Sequence, residues 1–255
     1  CGLRKNLIGL KNLKINRIEL GNLIEIDHSN YLKENGYVKL DNVVNSELLK
    51  SIKKKFEEKL EKEGDFTNDL RFDFTSLENP NFFNNFSEVK QILNDKIVNT
   101  IQGYYSSYFT ITNVHIYRIK KNPNHNHLDT KSYSQTVAWH NDGASTDTIK
   151  IIISLNKLGE KDGPMQFISL KETKNIYRSS SFFPTKKKLI NKIKNYKKML
   201  FNQNDAYIIN ANHCLHRASS PETEHRDLLT FVCRPTYKSK PINWEIDSTK
   251  NIYEV

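Results

Sequence analysis

The chain has 255 residues, a formal net charge of +10 and three cysteines, enough for one large domain and no evident second one. No apolar run reaches the roughly 18 to 20 residues of a membrane span and no signal peptide is visible, so a soluble, cytoplasmic protein is expected. Cys1, Cys214 and Cys233 are too few for a disulfide framework or a cysteine zinc site, and the many lysines lack the interleaved aromatics of a nucleic-acid surface, so no nucleic-acid partner is expected.

Residues 1–28 mix apolar and basic positions without a clean period and read as a lead-in to a single domain over 29–255. Asn45 or Ser46 can cap a helix whose apolar residues Leu48, Leu49, Ile52, Phe56 and Leu60 recur every three or four positions. Its other face, with Glu57, Glu58 and Glu61 against Lys53, Lys54, Lys55 and Lys59, is a solvated surface. Residues 64–86 look like a long connection, and residues 87–106 read as one or two short helices. From Phe109 the period changes. Phe109 to Ile119, Val137 to Trp139, Thr148 to Leu155, Met165 to Ile168, Tyr207 to Ile209 and Leu228 to Cys233 have strand composition. A basic helical insertion is expected at 185–200. Short strands with helices mostly ahead of them predict a mainly β fold with flanking α, a double-stranded β-helix or cupin-like jelly roll behind N-terminal helices.

The chemistry concentrates in His140-Asn141-Asp142, in His216, and in Arg226 ten residues after it. Alternate residues of a strand share a face, so His140 and Asp142 can reach one metal. Two histidines and one carboxylate form the facial triad of non-haem Fe(II) sites with open positions. An arginine fork just beyond suits a carboxylate of 2-oxoglutarate as cosubstrate. His127-Leu128-Asp129 repeats the pattern, but in an Asn- and Pro-flanked stretch without strand character. His213 and His225 compete for the third ligand position, and the spacing to Arg226 favours His216. His213 is then left either supporting the ligands from behind or with a purely structural role, and Cys214 is expected to share the face of His216, near the metal. Gln135, Lys150 and Tyr117 are candidates for further hydrogen bonds to the cosubstrate or substrate.

Several segments resemble the phytanoyl-CoA dioxygenase family of Fe(II)/2-oxoglutarate-dependent oxygenases. Tyr31 to Leu60 is similar to its opening helix, Gly-Tyr-Val strand and longer helix. Ala138 to Asp142, Ile149 to Ile151 and Asp162-Gly163-Pro164 follow the order of its metal strand, next strand and Gly-Pro turn. Asp205 to Tyr207, Leu215 to Ala218 and Arg226 resemble its closing segment, so the likeness runs from about residue 29 to about residue 236. It implies iron held by His140, Asp142 and His216, 2-oxoglutarate secured by Arg226, and hydroxylation of a C–H in a small-molecule or carrier-linked substrate with release of succinate and CO2. Related halogenases lack the carboxylate, so Asp142 points to hydroxylation, with desaturation or ring closure at the same site giving the same sequence pattern. Where many relatives carry Pro-Gly-Ser-His, this chain has Ile168-Ser169-Leu170-Lys171-Glu172, a change on the substrate side. The competing readings are a cosubstrate-independent metalloenzyme on the same barrel and a non-catalytic binding protein. The loop at 121–133, with Lys131, and the insertion, with Lys186 to Lys188, are expected to border the pocket and favour an anionic substrate.

Overall fold

The computed structural model describes residues 26–63, 71–79, 81–121, 139–143, 147–176, 193, 195–236 and 242–244. Helix α1 (Ile26–Asn35) ends at Gly36, whose φ of +78° turns the chain into strand β1 (Tyr37–Leu40). Helix α2 (Ser46–Glu63) starts under Asn45, whose Oδ1 accepts hydrogen bonds from the backbone N–H of Glu47 and Leu48 at 2.8 and 3.1 Å. Of the two predicted caps, Asn45 is the one used. Leu49, Ile52 and Phe56 are buried along one stripe, as the spacing predicts.

The next segment differs from expectation. Within the predicted connection lie strand β2 (Arg71–Thr75) and the short helix α3 (Phe82–Asn85). Phe74 and Phe82 stack with ring centroids 5.5 Å apart and Phe86 meets Phe74 at 5.6 Å. This aromatic burial gives the segment its order, a tertiary contribution that its Asn-rich composition hides. A 3-10 turn (Ser87–Ile92) and helix α4 (Asp95–Tyr105) follow, close to the expected short helices. Asn94 caps α4 by accepting from Ile97 N at 3.1 Å.

Strands β3 (Phe109–Lys120), β4 (Ile149–Ser154) and β5 (Gln166–Phe167) precede helix α5 (Leu170–Ile176), and β6 (Lys197–Lys198), β7 (Ala206–Ile209), β8 (His216–Arg217), β9 (His225–Pro235) and β10 (Ile242–Trp244) complete the chain. A seven-stranded sheet runs β1-β7-β4-β9-β3-β10, with β2 antiparallel to the other half of the β3 edge that β10 joins in parallel. A smaller sheet, β6-β5-β8, lies against it. The β-rich sandwich with leading helices is the double-stranded β-helix expected.

Two further corrections arise here. Leu170–Ile176 is helical because Ser169 and Glu172 form a reciprocal cap: Ser169 N donates to Glu172 Oε2 and Glu172 N to Ser169 Oγ, at 3.1 and 3.3 Å. The described end of the basic insertion is not helical, since Lys197 and Lys198 pair as a strand with Phe167 and Gln166. Val137 and Ala138 lie outside the described residues, and Trp139 belongs to no strand.

The large sheet has two buried faces. Ile149, Ile151 and Ile153 of β4 and Leu229, Phe231 and Cys233 of β9 pack toward the helices. Ile152, Ile209 and Leu228 face the small sheet, where Phe167, Met199 and Phe201 cover them. The Gly163 turn fits closely between the sheets: φ is +66°, and a β-carbon there would stand 2.5 Å from the backbone N of Pro221. Among the described residues no helix is long and apolar enough to cross a membrane.

Candidate metal centre

Strand alternation delivers polar groups to a cavity of about 140 Å³ between the sheets. From β4 it receives Lys150 and Ile152, from β9 Arg226, Leu228, Thr230 and Val232, and from β3 His115, Tyr117 and Ile119. The β3 contribution depends on a bulge between Ile111 and Asn113. Before it the odd-numbered Phe109 and Ile111 pack toward the helices; after it the even-numbered Val114 and Ile116 do. The extra residue thus turns His115, Tyr117 and Ile119 into the cavity.

His140, Asp142 and His216 meet in this cavity, with one donor atom from each lying within 4.8 Å of the others. Asp142 Oδ1 is 3.5 Å from His216 Nε2 and 4.0 Å from His140 Nε2. Ligands about 2.1 Å from a shared ion stand about 3 Å apart when adjacent, so small side-chain adjustments suffice. The donor set fits a divalent metal. The backbone holds the group in place: His140 and His216 exchange N–H···O bonds of 3.0 and 2.8 Å, and Asp142 N donates to Ala211 O at 3.0 Å. His140 and Asp142 therefore face one way although only His140 makes a β-bridge. His216 Nδ1 lies 2.9 Å from the Cys214 carbonyl. Donation by Nδ1–H there leaves the Nε2 lone pair for a metal.

Lys150 and Arg226, both described lining residues of the cavity, differ in setting. Lys150 Nζ lies 2.6 Å from Asp142 Oδ2. Burial pushes the Asp142 carboxyl up, but the Lys150 charge and His216 outweigh it and hold the group well below the usual carboxylate range. It is a carboxylate at any physiological pH. Arg226 is 3% exposed and reaches the cavity from the far end of β9. Its neighbour Asp227 points the other way and takes a two-pronged ion pair from Arg118, with both N···O distances 2.7 Å.

Other candidate residues have different places. Tyr117 lines the cavity, while Gln135, His127 and Asp129 lie outside the described residues. His213 is exposed in the turn before β8, its backbone N–H bonded to Asn210, and it is not among the described residues that line the cavity. His225 is 3.6 Å from Asp227 Oδ2. Cys214 does not share the face of His216. Its thiol packs against Gly36, and burial raises its pKa to about 12. It serves His216 through its carbonyl alone, because the chain between them is a turn. Sequence reasoning missed His115, whose Nδ1 is 3.3 Å from Asp73 Oδ1, and Thr230, whose buried hydroxyl has no hydrogen-bond partner among the described residues. The alternation Arg71-Phe72-Asp73-Phe74-Thr75 was the available signal for the β2 side of that wall. Of the expected pocket border, the loop at 121–133 beyond Lys121 and the lysines at 186–188 lie outside the described residues, while Met199 and Phe201 reach the cavity wall.

No protein-family model matches the sequence, and no curated protein does. Solved structures do match. The epimerase SnoN from nogalamycin biosynthesis, in complex with Fe3+, alpha-ketoglutarate and nogalamycin RO, aligns over 86% of this chain and 84% of its own at TM-score 0.60 and 14% identity. EctD from S. alaskensis, with 2-oxoglutarate and 5-hydroxyectoine, aligns over 84% and 77% at TM-score 0.61 and 10% identity. HygX from Streptomyces hygroscopicus, with nickel and 2-oxoglutarate, aligns over 82% and 87% at TM-score 0.55 and 13% identity. At such identities the likeness establishes a shared fold: this chain has the double-stranded β-helix architecture of these 2-oxoglutarate-binding proteins.

Proposed function

We propose that the protein is an Fe(II)/2-oxoglutarate-dependent dioxygenase of the phytanoyl-CoA dioxygenase type that hydroxylates a C–H bond of a small-molecule or carrier-linked substrate. The observation that carries this reading is the convergence of His140, Asp142, His216 and Arg226 on one cavity. His140, Asp142 and His216 would hold the iron, two neutral imidazoles and one carboxylate leaving positions open on one side. Arg226 would receive the distal carboxylate of 2-oxoglutarate through its planar fork. When bound, the metal and cosubstrate supply the oxidising chemistry that couples decarboxylation to succinate and CO2 with hydroxylation.

The protein's own share is orientation and water exclusion. Met165, Met199, Phe201 and Leu158 close the cavity on the small-sheet side, and Ile152, Ile209 and Leu228 floor it. Tyr117 and Thr230 supply hydroxyls at its wall. The structural neighbours include an epimerase and a carbocyclase as well as EctD with 5-hydroxyectoine, so the outcome on this fold varies; Asp142 argues against halogenation. The substrate side is open to an anionic group, given the +10 net charge.

The test is anaerobic loading with Fe(II), then oxygen and 2-oxoglutarate with candidate substrates, following succinate and hydroxylated product. Succinate from the wild type and none from His216→Ala is the expected result. Product formation independent of 2-oxoglutarate would replace this reading with a cosubstrate-independent metalloenzyme.

A further inference from the structure

Lys150 occupies an unusual position for a cavity lysine. Its ammonium sits against Oδ2 of Asp142, while Oδ1 of the same carboxylate faces the Nε2 atoms of both histidines. One strand sets this pairing. Ile209 of β7 is the register partner of Lys150, and two residues on, the carbonyl of Ala211 holds the Asp142 backbone N–H. Lys150 and Asp142 are thus fixed against successive positions of one backbone segment. On its other side Lys150 pairs with Val232. Arg226 lies six residues earlier on β9 and lines the same cavity, so the two cations enter it at different levels of the large sheet.

We infer that Lys150 is a positioning residue for Asp142: by occupying Oδ2 it presents Oδ1 alone to the metal and keeps a neighbouring coordination position open for 2-oxoglutarate. The inference rests on the metal-centre reading above and adds to it a role for a residue that touches no ligand position itself. A carboxylate has two oxygens and can take two sites on an ion. An ammonium 2.6 Å from one of them holds that oxygen by charge and fixes the carboxylate's orientation, which disfavours a second bond to the same ion. Partners that orient metal ligands commonly matter about 10- to 100-fold in metal affinity or activity.

The probe is Co(II), whose visible spectrum reports coordination number, added to wild-type protein, Lys150→Met, Lys150→Arg and His216→Ala. Wild type and Lys150→Arg should give the same metal-only spectrum, since either cation can hold Oδ2. Lys150→Met, close in volume, should bind Co(II) with a spectrum shifted toward higher coordination before any cosubstrate is added, and should bind 2-oxoglutarate at least about tenfold more weakly. A Lys150→Met spectrum identical to wild type overturns the inference; if 2-oxoglutarate affinity still falls, Lys150 contacts the cosubstrate instead. Retention of stoichiometric Co(II) by His216→Ala would overturn the metal-centre reading beneath it, and thermal unfolding of each variant establishes that it is folded.

Discussion

Arg226 and Asp227 are adjacent and face opposite ways across β9, one into the cavity and one toward the helices. Arg226 is nearly inaccessible to water, so a carboxylate bound to it exchanges charge-assisted hydrogen bonds in a low-dielectric setting. Truncating one partner of such a pair costs about 2 to 5 kcal/mol. Arg226→Ala should therefore weaken 2-oxoglutarate binding at least about tenfold, while Fe(II) or Co(II) still binds at one equivalent; calorimetry with each ligand measures both. Unchanged affinity for the cosubstrate would remove the clamp from the proposal. His213→Ala offers the contrast. Its imidazole is exposed, so metal binding and turnover should stay at the wild-type level where His216→Ala loses both.

The elements around the site are joined by polar pairs as much as by apolar packing. Arg118 of β3 and Asp227 of β9 are register partners, and their ion pair is buried beside Phe56 of α2. Asp227 is the fully buried member, so removing Arg118 leaves its carboxylate in a dry interior at a cost of about 3 to 5 kcal/mol. Arg118→Met should therefore lower the unfolding free energy, read from denaturant titration, by that order, without any change in the metal-only Co(II) spectrum of protein that remains folded. A loss under about 1 kcal/mol would show that water reaches Asp227. Long β3, β4 and β9 were legible in the sequence because β-branched and aromatic runs of six residues or more carry a strong period. Short β5 fell inside the predicted Met165 to Ile168, whereas β6 and β8, two residues each, carry almost no period, and β2 was hidden among asparagines. Helix α5 had a readable signal in Ser169-Leu170-Lys171-Glu172, a capping box.

At the scale of the whole molecule, the large sheet separates two interiors with different tasks. The helix side is apolar and aromatic, and carries stability; the small-sheet side holds the metal donors. Because the donors come from segments as far as 76 residues apart in sequence, from His140 to His216, a bound metal ties the 139–143 segment to β8 and should stabilise the fold through mass action. Saturation at about 100 times Kd is worth roughly 2.7 kcal/mol, or about 5 to 10 °C in Tm for a domain of this size. Fe(II) or Mn(II) should raise Tm by that order in the wild type and leave His216→Ala unmoved. An equal shift in the variant would place the metal elsewhere.

By itself the sequence determined the class of the fold, the two principal helices with Asn45 as a possible cap, the long strands, and a coherent set of candidate ligands. These are local properties: propensity, periodicity and the two-residue spacing of His140 and Asp142 act within a few residues of one another. Tertiary structure alone decided which neighbours those residues meet. The bulge at Thr112 reversed the facing of half of β3 and brought His115 and Tyr117 into the cavity, a shift of one residue that no composition records. The turn before His216 sent the Cys214 thiol toward Gly36 and left only its carbonyl for the imidazole. Lys150, a candidate cosubstrate or substrate contact from sequence, was placed on Asp142 by the register of β4 against β7. Register is set by long-range packing between strands, and that information becomes physical only when the two sheets close on each other.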